Sequence, residues 1–195
     1  MAADTDRKFL FLLASTRTDG NTEHLARRAA AGLPGGVRQE WLRLTDLPLP
    51  DFTDPRHAGD GTYPYPEGNA RRLLDATLDA TDVVIASPLY WYSLSTPAKL
   101  YLDHWVNWMR VPGLDFRARM GGRTLWGVTA LGDDNRSVAD PLVGALRNTA
   151  NYMSMHLGGV LLGNGSAPGQ ILADHDALAE ADTFFTRAPL AAALR

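Results

Sequence analysis

The chain has 195 residues, with 19 Lys+Arg against 22 Asp+Glu for a formal net charge of −3, which excludes nucleic-acid binding through a broadly basic surface. Its 45% hydrophobic and 21% charged content is that of a globular protein rather than a disordered one, and about 150 residues per domain predicts a single domain over 1–195. Cysteine is absent, which excludes disulfides, thiolate nucleophiles and cysteine-ligated metals and leaves the redox compartment open. No apolar run approaches the roughly 20 residues of a membrane span. The stretch Phe9–Ala14, behind Asp4, Asp6, Arg7 and Lys8, is too short for a secretory signal, so the expected location is cytoplasmic.

In chain order, Lys8–Ala14 is a continuous apolar run short enough for a buried strand. Leu25, Ala26, Ala29, Ala30 and Leu33 repeat at helical spacing and stop at Pro34-Gly35-Gly36, which predicts a helix and its end. Val37–Leu44 reads as a second strand, charged enough for a sheet edge. Residues 45–67 carry Pro48, Pro50, Pro55, Pro64 and Pro66 and predict an irregular loop. Within it, residues 51–67, with Tyr63 and Tyr65, are expected to form a movable flap.

Ala70, Leu73, Leu74, Thr77 and Leu78 predict a short helix before the apolar strand Asp82–Ser87. Ser95 as N-cap and Pro97 in the first turn open a third helix, with Ala98, Leu102, Trp105 and Met109 expected against the sheet. Tyr101, Trp108 and Val111 fall on another face, expected to be exposed as a subunit contact. Arg123–Ala130 predicts the fourth strand. Asp140-Pro141 predicts a helix start, with Leu142, Leu146, Thr149, Ala150 and Met153 along one face. His156–Leu162 predicts the fifth strand, and Ala177, Leu178, Ala181, Phe184, Phe185 and Ala188 a closing amphipathic helix. Five apolar strands alternating with five helices predict a parallel, doubly wound α/β sheet covered on both faces. In such a sheet, ligands bind beyond the carboxyl ends of the strands, where strand order reverses.

The loop after the first strand reads Ser15-Thr16-Arg17-Thr18-Asp19-Gly20-Asn21-Thr22. Its hydroxyls and guanidinium precede a helix N-terminus, whose unpaired N–H groups and partial positive charge suit a phosphate. The same residue types also serve as plain helix caps, and both readings stand at this point. Neither G-x-x-x-x-G-K-[ST] nor G-x-G-x-x-G opens this helix, which argues against an ATPase and a dinucleotide-binding Rossmann domain. The loop after the third strand, Pro88-Leu89-Tyr90-Trp91-Tyr92-Ser93, sets three consecutive aromatics where a large flat ring could stack on them. Their alternative use is to fill a dimer interface or cap the core.

These two loops, with Ser95-Thr96-Pro97-Ala98-Lys99 running on to Asp103 and with Asp46-Leu47-Pro48-Leu49-Pro50 after the second strand, resemble the flavodoxin-like NAD(P)H-dependent flavin reductases, the family of FMN and quinone reductases. The resemblance runs in register from about Phe9 to about Gly165. It implies a flavodoxin-like five-stranded parallel sheet of order 2-1-3-4-5 with helices on both faces. It implies that Ser15, Arg17, Gly20, Asn21 and Thr22 hold the FMN phosphate, and that Pro88, Leu89, Tyr90, Trp91, Tyr92 and Ser93 flank the flavin, Tyr90 and Trp91 nearest the ring. The loop after the fourth strand completes such sites, here through Leu131 and Gly132. Asp133 and Asp134 beside them depart from the family's small, Gly-rich pattern and would repel added negative charge at short range, unless Arg136 offsets them or all three face solvent. The implied activity is hydride transfer from NADPH or NADH to FMN and on to a small acceptor such as a quinone or free flavin, in a homodimer. The alternative is a flavodoxin-type FMN electron carrier without NAD(P)H oxidation.

Other constellations carry less. Asp51, Asp54 and His57, and Asp174, His175 and Asp176, read as solvated loop or cap residues rather than metal ligands. Ser15, Ser87 and Ser93 lack a G-x-S-x-G elbow, and His104 and His156 read as structural histidines.

Overall fold

The computed structural model describes residues 6–54, 56–57 and 59–187. Five strands form one sheet: β1 (Lys8–Leu13), β2 (Arg38–Arg43), β3 (Asp82–Ala86), β4 (Thr124–Leu131) and β5 (His156–Asn164). All pairs are parallel, in the order β2-β1-β3-β4-β5. Parallel neighbours need crossovers, and these are α1 (Asn21–Ala31), α2 (Gly68–Asp79), α3 (Thr96–Trp108) with α4 (Phe116–Met120), and α5 (Asp140–Tyr152), before α6 (His175–Ala181) closes the fold. This is the flavodoxin-like sheet that the resemblance implied.

Alternating residues of each strand supply the two sides of the core. Phe9, Phe11, Val84, Trp126 and Val128 pack with α1 and α6 on one side; Leu10, Leu12, Val83, Ile85 and Leu125 pack with α2, α3 and α5 on the other. Each fully buried Leu, Ile or Phe stabilises this arrangement by about 1.5–3 kcal/mol before entropy is counted. The buried carboxylate of Asp82 is tolerated because it accepts hydrogen bonds from Arg7 Nη2 at 2.6 Å, Thr81 Oγ1 at 2.7 Å and Trp126 Nε1 at 2.9 Å. Strand β2 is at an edge, as its charges predicted, and its Trp41 stacks on Phe11 at 4.0 Å.

Several expectations are corrected. Tyr101, Trp108 and Val111 are not an exposed contact; all three are buried. Trp105 and Trp108 pack edge-on against Phe116, so the short α4, which no stripe had predicted, covers that side of α3. The partly exposed flank is instead Leu102, Val106 and Met109. The last predicted helix stops at Ala181, and Phe184 and Phe185 lie in a separate 3-10 turn against Trp126; Ala188 lies outside the described residues. A 3-10 turn, Arg136–Ala139, runs into α5, so Ala139 rather than Asp140 is its cap.

Candidate active site

The carboxyl ends of β1, β3, β4 and β5 and the first turn of α1 enclose a cavity of 140 Å³, lined by Ser15, Arg17, Gly20, Asn21, Thr22, Pro88, Leu89, Tyr90, Ala130, Gly132, Gly165 and Ser166. It sits beside β1 and β3, where strand order reverses. None of its lining residues is acidic.

The capping reading of the first loop fails in the structure. The residue at the N-cap of α1 is Gly20, and no side chain caps it. The opening amides of this helix therefore have no side-chain cap, and Gly20, Asn21 and Thr22, which carry them, line the cavity. Ser15 Oγ accepts a hydrogen bond from Arg17 N at 3.0 Å, which folds the loop back over the strand end. The Arg17 guanidinium is exposed, and its one contact among the described residues is the Ser166 carbonyl at 3.5 Å. The side chain of Asn21 is occupied differently: its Nδ2 donates to the Ala167 carbonyl at 2.9 Å, and its Oδ1 accepts from Ile171 N at 3.4 Å. Thr22 Oγ1 accepts from Ala130 N at 3.3 Å. The side chains of Asn21 and Thr22 thus bind the loop to the ends of β4 and β5.

The aromatic loop is a tight hairpin. Tyr90 N donates to Ser93 O at 3.1 Å and Ser93 N to Tyr90 O at 3.0 Å. Between them Trp91 and Tyr92 both adopt positive φ, +49° and +64°, the pattern of a type I′ turn that Asn-Gly ordinarily fills. Ser87 Oγ accepts from Ser95 N at 2.9 Å, and Ser95 Oγ donates to the Ala14 carbonyl at 2.8 Å, so the loop's base is tied to the end of β1. Ser95 therefore opens α3 without its side chain capping it.

Nine expected residues meet at this cavity: Ser15, Arg17, Gly20, Asn21, Thr22, Pro88, Leu89, Tyr90 and Gly132. Trp91 and Tyr92 do not line it. They project outward, Trp91 at 92% exposure, because the left-handed turn aims them away. Ser93 lines a neighbouring groove between α3 and α5, and Leu131 is buried in β4. Ala130, Gly165 and Ser166 were missed. At Gly165 a Cβ would stand 2.7 Å from Ile171 N and 3.0 Å from Asn21 Nδ2, so no side chain fits between these loops.

Asp133 and Asp134 face solvent. Asp133 accepts from Asn135 N, and Asp134 from Asn164 Nδ2. Arg136 does not offset them; it pairs with Asp174 and Glu180. None of the described residues 51–67, expected to form a flap, lines this cavity. His104 Nε2 bonds the Pro50 carbonyl at 2.9 Å, and Tyr63 N donates to Arg110 O at 3.0 Å, which holds this segment along α3. Asp54 is paired with Arg56, which holds its carboxyl down at about 2. Asp174 caps α6 by accepting from Ala177 N. Among the described residues no three His, Asp or Glu side chains converge on a possible metal position, and no helix is long and apolar enough to cross a membrane.

The profile of the NADPH-dependent FMN reductase family matches residues 7–166. YwqN of Bacillus subtilis (strain 168), named as an NAD(P)H-dependent FMN-containing oxidoreductase, is 31% identical over 182 residues, which cover 92% of this chain and 97% of YwqN. The structure of a Trp repressor binding protein from Bacillus subtilis superposes with a TM-score of 0.74 at 26% identity, over 92% of this chain and 99% of that one. An FMN-dependent NADH-azoreductase from Bacillus anthracis str. Ames Ancestor, solved with FMN, shares the fold with a TM-score of 0.62 at 15% identity, over 90% of this chain and 96% of that one. With a family match across most of its length and a relative 31% identical over 182 residues, the chain belongs to the NADPH-dependent FMN reductase family, and it is an enzyme of that family.

Proposed function

We propose that residues 1–195 act as one FMN-binding domain that oxidises NADPH or NADH and reduces a small acceptor such as a quinone or a free flavin. One observation carries this reading: an acid-free cavity joins the uncapped N-terminus of α1, the guanidinium of Arg17 and the Ser15 hydroxyl. That donor set fits a phosphate dianion, and two turns of backbone close it at Gly132 and Gly165-Ser166. Pro88, Leu89 and Tyr90 line the same cavity and would hold the flavin ring. When bound, FMN would supply the hydride- and electron-transfer chemistry of the reaction. The chain's own residues would hold the phosphate through Ser15, Arg17 and the start of α1, and the ring through Pro88, Leu89 and Tyr90.

Dependence on NAD(P)H supports a cytoplasmic setting. Self-association as a homodimer is supported by the apolar flank of α3, where Leu102, Val106 and Met109 meet Met153 and Tyr152 of the α5 end beside the exposed Trp91 hairpin. The partner of such a flank would cover surface that is costly to leave in water. The test is a visible absorption spectrum of the protein with FMN, followed by anaerobic NADPH or NADH. Bound flavin that bleaches supports the reductase and reveals the preferred nucleotide. Bound flavin that stays oxidised indicates an electron carrier, and no binding of FMN overturns the reading.

A further inference from the structure

Beneath the loop that precedes α1 lies a carboxylate with no evident place beside a phosphate. Glu23 is the third residue of α1, and its side chain is 3% exposed. Left alone, a buried carboxylate in the first turn would repel an anion bound at that helix end. It is not left alone. Its Oε1 accepts from Arg27 Nη2 at 2.7 Å and Nε at 3.0 Å, and its Oε2 accepts from Arg43 Nη2 at 2.6 Å.

The same groups reach the loop backbone. Asp19 N donates to Glu23 Oε2 at 3.3 Å, and Arg43 Nη1 donates to the Arg17 carbonyl at 3.2 Å. Asp19 adopts a left-handed φ of +51°, a conformation that needs outside support in a non-glycine residue. Glu23 belongs to α1 and Arg43 ends β2, so the residues on either side of Thr18 are fastened to two rigid elements. Burial alone would raise the Glu23 carboxyl, but the hydrogen bonds and charges of Arg43 and Arg27 outweigh it and hold the group below the ordinary carboxylate range. The carboxylate is therefore ionised at neutral pH and acts as a fixed acceptor.

We infer that Glu23 and Arg43 are positioning residues, which hold the backbone of Arg17–Asp19 in the shape that receives a phosphate and so set the preference for FMN over unphosphorylated flavin. The inference rests on the cofactor reading above and deepens it. Its consequence separates geometry from charge. Replacing Glu23 by Gln adds one net positive charge near the anion, so simple Coulomb attraction predicts tighter FMN binding. Loss of the brace predicts the opposite.

The experiment is a fluorescence-quenching titration of the flavin-free protein with FMN and, separately, riboflavin, for the unaltered chain, Glu23→Gln and Arg43→Lys. Arg43→Lys keeps the charge, but one ammonium cannot span both the carboxylate and the Arg17 carbonyl. Both variants are expected to weaken FMN by about tenfold or more, the worth of one charge-assisted hydrogen bond, while riboflavin stays within about twofold. Unchanged or tighter FMN binding overturns the inference, as does equal weakening of both flavins, which would mean a general loss of structure. An unaltered chain that binds neither flavin overturns the cofactor reading itself, and the inference falls with it.

Discussion

Truncating Arg17 to Ala separates cofactor binding from folding more cleanly than any other single change at this site. The guanidinium is exposed, pairs with no carboxylate among the described residues, and among them makes a hydrogen bond only to the Ser166 carbonyl at 3.5 Å, the outer limit of a hydrogen bond. Its loss should therefore change unfolding stability by no more than about 0.5 kcal/mol. Against a phosphate dianion the same group makes charge-assisted hydrogen bonds worth about 1.5–3 kcal/mol. At about 1.4 kcal/mol per decade, the Kd for FMN rises roughly 10- to 150-fold. Arg17→Lys should fall between, since it retains the charge and loses the fork. Fluorescence-quenching titration at low salt measures the effect. Because the side chain is exposed, the gap should narrow toward 1 M salt, where the Debye length is about 3 Å. A Kd for FMN within about twofold of the unaltered chain would refute the assignment of Arg17 to the phosphate, given that even one such bond predicts a larger change.

Three further outcomes test the fold and the site. Tyr92→Gly relieves a left-handed φ of +64° and should raise stability by about 1 kcal/mol; an unchanged or lower Tm would mean that the hairpin is not strained there. Gly158 is the unpaired residue of a β-bulge between β4 and β5, and a Cβ on it would lie 2.3 Å from the Trp126 ring. Gly158→Ala should therefore cost about 1–3 kcal/mol in a urea unfolding curve, the usual range for overpacking; a neutral result would show that the ring can move aside. Finally, Glu23 and Asp174 have folded-state carboxyls below their ordinary range, in each case because hydrogen bonds and arginine charge outweigh burial. Their stabilisation is complete above the unfolded value, about 4, and is lost as pH falls through the lower folded values. The urea midpoint should stay level down to about pH 5 and then decline, with a shallower decline in Glu23→Gln; a midpoint that rises on acidification contradicts the sign.

Much of the cavity was legible because its residues come from two continuous loops that follow apolar strands. Ser15, Arg17, Gly20, Asn21 and Thr22 share one loop and helix turn, and Pro88, Leu89 and Tyr90 share another. Ala130, Gly165 and Ser166 gave no signal, because they contribute by backbone proximity, which the pairing of β4 with β5 creates. The brace of Glu23 and Arg43 was equally silent: its partners are 20 positions apart and meet only because β2 lies beside β1.

By itself the sequence determined the alternation of buried strands and helices, the parallel sheet, and the two loops at its carboxyl edge, since periodicity and apolar content act over a few neighbouring residues. The tertiary structure alone decided which way side chains face. Helix α3 carries apolar residues around most of its circumference, so its stripe could not say that Tyr101 and Trp108 are fully buried while Leu102 and Met109 pack on the core only in part; Phe116 packs edge-on against Trp108 on the buried side. Trp91 and Tyr92 look identical in kind to Tyr90 in the sequence, yet a two-residue left-handed turn sends them to solvent and leaves Tyr90 at the cavity. Direction depends on backbone dihedrals and long-range neighbours, and neither is written in local composition.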